Sequence, residues 1–452
     1  MAMRKPLLLQ LLQLLLLATP AAAQPREAWQ PPTLTNTRYD EDWSKQSGGR
    51  WTEELKHVPL NEDGSAWVGT GLELRARLES FGNNLWGGAA APDDAYLWTR
   101  AMPYVDLHLG KLRAFVQPIA AHAVGVAPAA SPIDQTRADL LQGFVEVEAG
   151  AVTLRGGRQM LSLGTERLIG TRYGPNVPLA FDGVRADLRE GGARLSVFAV
   201  RPVQARPGSF DDRTSPTRAL WGIYAAWPGL DAYYLGYRNR AASFGGIEGR
   251  ELRHSMGLRV HGASAEWRWN VEGVVQFGRF EGQEIRAWTL GTEIAREFPA
   301  LPLQPRATMR FNIISGDKRA DDGRLGTFNA LFPKGKYFGE LSPIGPYNII
   351  NLHPGASFAL RHDLSLDLAA MAYWRASKGD GIYDIPGNLI RAPGGATARF
   401  IGKQAEASLS WQATPELELS TSLSAFAPGA YIRETGPART ITMLGLEANF
   451  RY

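Results

Sequence analysis

The chain has 452 residues, 44% hydrophobic, 21% charged and none cysteine. A mean hydropathy of -0.21 leaves little room for a bundle of membrane helices, each needing roughly 20 consecutive apolar residues. The lack of cysteine excludes thiolate metal sites, disulfide scaffolds and Cys nucleophiles, and a formal net charge of +4 does not by itself mark a nucleic-acid binder.

The one long apolar run is N-terminal. Arg4 and Lys5 precede Leu7 to Ala18, and Ala21-Ala22-Ala23 follows before Gln24. A basic start, a short apolar stretch and a small-residue site predict a secretory signal peptide over 1–23. Residues 24–65 are then an N-terminal periplasmic segment, and residues 66–452 a barrel.

From Gly64 onward the dominant pattern has period two, the signal of a strand with one apolar face. Val68, Leu72, Leu74, Ala76 and Leu78 share one face, and Glu73, Arg75, Arg77 and Glu79 the other. The pattern recurs about Val184 and Leu417, and in about eighteen segments centred near residues 74, 102, 116, 145, 155, 185, 197, 224, 235, 256, 271, 291, 310, 357, 369, 407, 421 and 446. Tight connections at Gly110, Gly150, 190–192, Pro228-Gly229, Gly262, His362-Asp363 and Ala413-Thr414 alternate with long ones at 80–95, 123–140, 160–178, 201–218, 316–350 and 376–402.

Sorting of loops by parity predicts an all-β fold, a transmembrane antiparallel β-barrel with short periplasmic turns and long extracellular loops. Closure leaves no backbone edge facing lipid. Trp98, Trp227, Tyr233, Tyr237, Trp267, Trp288, Trp374 and Trp411 lie near segment ends, where aromatic girdles sit. The last segment alternates to a terminal aromatic, Tyr452, as in barrels read by the outer-membrane assembly machinery. The expected location is the bacterial outer membrane.

If the apolar face meets lipid, the polar face lines the lumen. That phase carries Arg75, Arg77, Arg100, Arg113, Arg155, Arg185, Arg238, Arg259 and Arg310 among others, mixed with Glu73, Asp106, Glu146, Asp187 and Glu272. Arg–carboxylate ladders account for most of them. Arg75, Arg100, Arg155, Arg185 and Arg310 fall near the middles of their segments, and a ring of always-charged guanidinium at one depth favours anions over cations.

Catalytic constellations are missing from the sequence. The seven histidines are scattered, with no metal-binding H-x-x-x-H or H-E-x-x-H spacing, and there is no G-x-S-x-G elbow or phosphate-binding glycine loop. Asp380, Asp384 and Asp317 with Asp321-Asp322 are read as solvated loop charges rather than Ca²⁺ ligands. No cofactor and no enzymatic activity are expected. An outer-membrane enzyme or a loop-plugged binding or structural barrel is the alternative class.

Several stretches resemble the alginate-export family of outer-membrane porins. They are Leu55 to Leu60, GLELRARLE (71–79), LLQGFVEVE (140–148), LRGGRQMLSLGTERLIG (154–170), NVPLAFDGVR (176–185) and, most specifically, the loop SGDKRADDGRLGTFNALFPKGKYFGELSPIGPYNIINLHP (315–354). The resemblance implies a monomeric barrel of eighteen strands with an arginine-lined, electropositive constriction. The cargo it implies is an anionic uronate polysaccharide such as alginate. It carries Arg75, Arg155, Arg158 and Arg185 as motif residues, with Arg158 on the lipid phase at the rim beside its loop.

Overall fold

A computed structural model describes residues 30–319 and 321–452; the leader at 1–23 lies outside the described residues. Among these residues eighteen strands form one antiparallel wall in sequence order. They are β1 (Ala66–Gly82), β2 (Asp94–Leu109), β3 (Leu112–Val124), β4 (Thr136–Ala149), β5 (Val152–Gln159) and β6 (Phe181–Glu190). Then come β7 (Ala193–Gln204), β8 (Arg218–Trp227), β9 (Leu230–Phe244), β10 (Ile247–Ser264), β11 (Trp267–Phe280) and β12 (Gln283–Glu297). The wall ends with β13 (Arg306–Ile314), β14 (Ile349–Arg361), β15 (Leu364–Arg375), β16 (Phe400–Gln412), β17 (Leu417–Pro428) and β18 (Ile441–Arg451). All eighteen segment centres predicted from periodicity fall inside these strands.

The first strand pairs with the last, Leu74 with Phe450 and Arg75 with Asn449, so the sheet closes on itself. Closure satisfies every ladder without an exposed edge, which a lipid environment demands. Alternation then sorts the side chains. Leu74 is 45% exposed on the outer face, whereas its neighbour Arg75 is 4% exposed inside. Val105, Val145, Leu154, Val184, Leu258 and Leu423 repeat the outward apolar pattern around the circumference. Among the described residues no helix is long and apolar enough to cross a membrane; the strands do so.

Two features depart from the sequence reading. The hairpins after β9 and β11 lie on the side of the long loops, yet each closes in two residues, Gly245-Gly246 and Glu281-Gly282. All four residues have positive φ, the condition for a tight turn that follows the strand twist. The phase of β9 is also one residue off. Tyr237 and Leu235 are buried inside, so Arg238 points outward, and Tyr233 and Trp98 are inward residues rather than girdle members. Trp227, Trp267, Trp288 and Trp411 do stand exposed on the outside.

The phase has a direct test. Leu74→Arg is expected to reduce the heat-modifiable folded fraction, since a basic side chain near the bilayer midplane costs about 2–4 kcal/mol. Arg75→Leu, on the opposite face, is expected to insert. Equal loss of folded band in both would show the phase to be inverted.

Candidate pore constriction

Lumen-facing side chains of the wall are buried because three segments fold into the barrel. The first is N-terminal. Residues 35–57, including the single-turn helix α1 (Trp51–Glu54), close against the periplasmic end. Tyr39 is 2% exposed; its ring packs edge-on to Phe115 and Phe144, and its hydroxyl donates to the Met160 carbonyl at 2.7 Å. Arg38 pairs with Glu41 at 2.8 Å and donates to the backbone carbonyl of Tyr452 at 2.6 Å. Thr52 and Arg50 hold Glu416 in a periplasmic turn.

The second segment is residues 160–180 and the third residues 315–348. Inside the lumen they zip together by backbone bonds: Gly170 to the Phe332 carbonyl (2.8 Å), Phe332 to Leu168 (2.9 Å) and Lys334 to Glu166 (3.0 Å). The longer loop spans between distant arcs of the wall. On one side Asn329 exchanges bonds with Gln276 at 2.9 and 2.7 Å. On the other, Leu341 bonds Glu406 at 2.8 Å and Gln404 at 2.6 Å. Arg167 pins both loops to the wall through Glu272 (3.3 Å), Asn312 (3.0 Å) and the Tyr337 hydroxyl (2.6 Å). Phe332 and Leu331 supply an apolar core against Phe198, Leu220, Leu235 and Tyr237, which explains why the inward face of β7 to β9 is apolar.

The predicted arginines separate into clusters. Arg75 and Arg100 are cross-strand partners. Arg100 grips Glu73 at 2.5 Å and stacks over Tyr173 at 4.5 Å, while the Tyr173 hydroxyl bonds Glu73. Arg75 donates to the carbonyls of Tyr173 (3.2 Å), Gly174 (3.1 Å) and Pro175 (2.8 Å) and to Asn176 Oδ1 (3.5 Å). Arg100 reaches three carbonyls of the same tetrapeptide. Nearby, Arg77 is shared by Glu79, Glu340 and Glu447.

Arg155 and Arg185 are also cross-strand partners. Arg155 pairs with Glu146 at 2.5 Å and lies over the Tyr39 ring at 3.9 Å. Arg113 bridges Asp106 (2.8 Å), Glu146 (3.0 Å) and the Tyr39 carbonyl (2.8 Å), so the two arginines clasp the N-terminal insert between them. Arg185 and Arg194 share Asp187, at 2.8 and 3.2 Å. Arg259 pairs with Asp231 at 2.7 Å. Arg310 pairs with Glu293 at 2.8 Å on a more open arc. Arg158 binds Asp182 at 2.8 Å and the Leu140 carbonyl at 3.0 Å, beside the root of the 160–180 loop. Of the five mid-segment arginines, four carry a carboxylate partner, and Arg75 is held by neutral acceptors.

Asp380 is not a solvated loop charge. It is 4% exposed and accepts from Thr327 Oγ1 (2.6 Å), the Asp317 amide (2.9 Å), the Tyr383 hydroxyl (2.7 Å) and the Gly381 amide (2.8 Å). Burial raises its carboxyl above the ordinary range. It staples the 315–348 loop to the 376–399 loop. At the rim the carboxylates of Asp139, Asp211 and Asp212 come within 4.8 Å of one another, with Asp139 already held by Arg158 and the Asp212 amide.

Lys56 was not singled out from the sequence except within its motif. It is 2% exposed, donates to the Tyr104 hydroxyl at 2.6 Å and faces the rings of Trp43, Tyr104 and Tyr452. Burial, together with the Arg38 charge, pushes its ammonium from an ordinary 10.5 down to about 6, against the pull of Glu41 and Asp106. Between those values release of the segment takes up a proton. Each unit of acidification from pH 8 toward 6 is therefore expected to favour release about tenfold, levelling off below. A dye on Ser44→Cys, the only thiol in a cysteine-free chain, reports this as falling anisotropy. Lys56→Met is expected to flatten the dependence; an unchanged slope would assign it elsewhere.

A closed antiparallel wall of this size, apolar outside and charged within, with loops folded inward, defines an outer-membrane porin-type barrel. Its surroundings are outer-membrane lipid, and its insertion requires the barrel assembly machinery. The chain belongs to the alginate export family, whose sequence profile matches residues 66–444. A search of curated proteins finds no match. Among solved structures it is similar to Pseudomonas aeruginosa OccK9 (OpdG), with a TM-score of 0.60 at 13% identity over 85% of this chain and 98% of that one. Acinetobacter baumannii OccAB1 gives 0.57 at 13% over 88% and 99%. Pseudomonas aeruginosa OccK2 (OpdF), solved in complex with glucuronate, gives 0.58 at 11% over 85% and 97%. These likenesses establish the fold.

Proposed function

We propose that the barrel is a passive channel for anionic solutes. The observation that carries this reading is Arg75, whose guanidinium faces the lumen and is met by carbonyl and amide oxygens instead of a carboxylate. Its partners meet both Nη groups, leaving Nε without one, and they do not cancel its charge. In a confined space with low-dielectric walls such a charge focuses its field, drawing anions and repelling cations. The glucuronate complex of OccK2 supports a sugar acid as one cargo class.

Export of an anionic uronate polysaccharide such as alginate is the second reading, favoured by family membership. An extended chain requires the N-terminal insert to leave the periplasmic mouth first. Planar-bilayer recordings under a salt gradient test the main reading. The reversal potential is expected to have anion-selective sign at low salt and to shrink as the screening length falls from roughly 30 Å at 0.01 M to about 3 Å at 1 M. Cation selectivity would overturn it, and silence of the intact protein would favour the plugged-barrel class.

A further inference from the structure

A cavity of about 640 Å³ lies at the outer mouth, apart from the Arg75–Arg100 cluster. Its walls are the start of β8, the end of β9, the start of β10 and the 160–180, 315–348 and 376–399 loops. Two arginines line it, Arg172 and Arg218. The arginines of the constriction are all held by carboxylates or carbonyls, and these two are not. Arg172 Nε is buried with no hydrogen-bond partner. Arg218 donates only its backbone amide, to Ser215 Oγ at 3.2 Å. Among the described residues neither guanidinium makes an ion pair, and Arg172 has only the face of the Phe332 ring, at 6.0 Å.

Such an arrangement is costly. Two like charges share one cavity, and a buried donor is left unmet, where a satisfied one would be neutral to stability or better. Arg172 also sits at φ +50°, which a residue with a side chain rarely adopts. Burial lowers it from its ordinary range; the Tyr347 oxygen offsets part of that and the Arg218 charge adds to it. Three acids stand nearby without making an ion pair to either guanidinium, although Asp384 draws on Arg172 through space. Glu251 is held by Arg253 at 2.6 Å and by Asn329 at 3.1 Å. Asp384 takes the Gly387 and Asn388 amides, and Glu248 stands exposed at the rim. Tyr237 and Tyr347 add two hydroxyls without protein partners.

We propose that this cavity binds a sugar acid of monosaccharide or disaccharide size, its carboxylate between Arg172 and Arg218 and its hydroxyls toward Tyr237 and Tyr347. Guanidinium forks match carboxylate geometry, and the volume lies within the roughly 300–1,000 Å³ of small-molecule sites. Two phenols beside the charge suit a hydroxylated acid better than a bare anion. The inference rests on the anion-channel reading and adds a saturable station at its outer entrance.

Calorimetric titration of the purified barrel in detergent at low ionic strength tests it, with sodium glucuronate, glucose and inorganic phosphate as separate probes. Glucuronate is expected to bind saturably, phosphate more weakly and glucose not at all. Arg172→Gln and Arg218→Gln are each expected to weaken glucuronate about tenfold or more, with heat-modifiable migration kept. Where an arginine variant fails to assemble, Tyr347→Phe replaces it and is expected to weaken glucuronate while leaving phosphate unchanged. Absent glucuronate binding, equal affinity in the variants, or phosphate binding as tightly as glucuronate overturns the site. If the reversal potential keeps its anionic sign in that event, the channel stands without the station. A cation-selective potential with intact glucuronate binding removes the channel reading alone.

Discussion

Deleting Thr35 to Glu54 is expected to raise single-channel conductance several-fold while leaving the barrel assembled. The segment occupies the periplasmic mouth by specific contacts: Tyr39 between Arg113 and Arg155, Arg38 on the Tyr452 carbonyl, Thr52 and Arg50 on Glu416. None of these is indispensable to the wall. Without Tyr39, Arg113 keeps Asp106 and Glu146, and Arg155 keeps Glu146, so no buried charge is stranded, the outcome that makes deletion of an ion-pair partner destructive. Tyr39→Ala is the milder variant. Removal of a fully buried aromatic ring costs about 3–5 kcal/mol, enough to unseat a segment held by few other large groups. Intermittent openings are then expected in recordings where the parent is quieter. Conductance of the deletion variant equal to that of the parent would show that the insert lies beside the conducting path.

The wall was legible in the sequence and its contents were not, for one physical reason. Lipid imposes a period-two pattern on every strand, so Leu74, Val184 and Leu423 announce their phase locally. The lumen imposes no period. Arg75 meets Tyr173 across 98 positions of sequence, and the tetrapeptide it binds has no side-chain signature for that role. The 160–180 and 315–348 loops turn at positive φ on Glu166, Arg172, Leu331 and Lys336, conformations that composition does not announce. Where those loops bring their own apolar core, they also disturb the pattern of the wall. Leu235 and Tyr237 face inward because Phe332 is there to receive them, and the phase of β9 was misread for that reason. The ion-pair ladders were legible as a class; the insertion of Tyr39 between Arg113 and Arg155 was not. The run of Arg38, Tyr39, Glu41 and Trp43 within the N-terminal periplasmic segment is the available signal.

Substituting Arg75 and Arg100 together by Gln is expected to change two properties in opposite senses, lowering anion selectivity and raising conductance. The field argument gives the first. Arg75 is the charge at this cluster without a carboxylate of its own, so its loss removes positive potential, whereas loss of Arg100 frees Glu73 and makes the cluster negative. The geometry gives the second. The two guanidiniums together donate seven bonds to residues 173–176, and each bond from a charged donor contributes about 1.5–3 kcal/mol. Even with heavy discounting for shared acceptors, the 173–176 stretch loses its main anchor; Asn176, through the Thr99, His122 and Asp134 carbonyls, and the Tyr173 hydroxyl on Glu73 still hold it. Arg75→Lys separates the two effects. It keeps the charge and gives up the planar fork that spans several carbonyls, so selectivity is expected to persist while open-channel noise and conductance rise. Arg75→Gln alone should lower selectivity with a smaller gain in conductance, since Arg100 still binds the loop. If Arg75→Lys and Arg75→Gln give the same reversal potential as the parent, the charge at this position does not set selectivity, and the passage of anions must be governed by another arc of the wall.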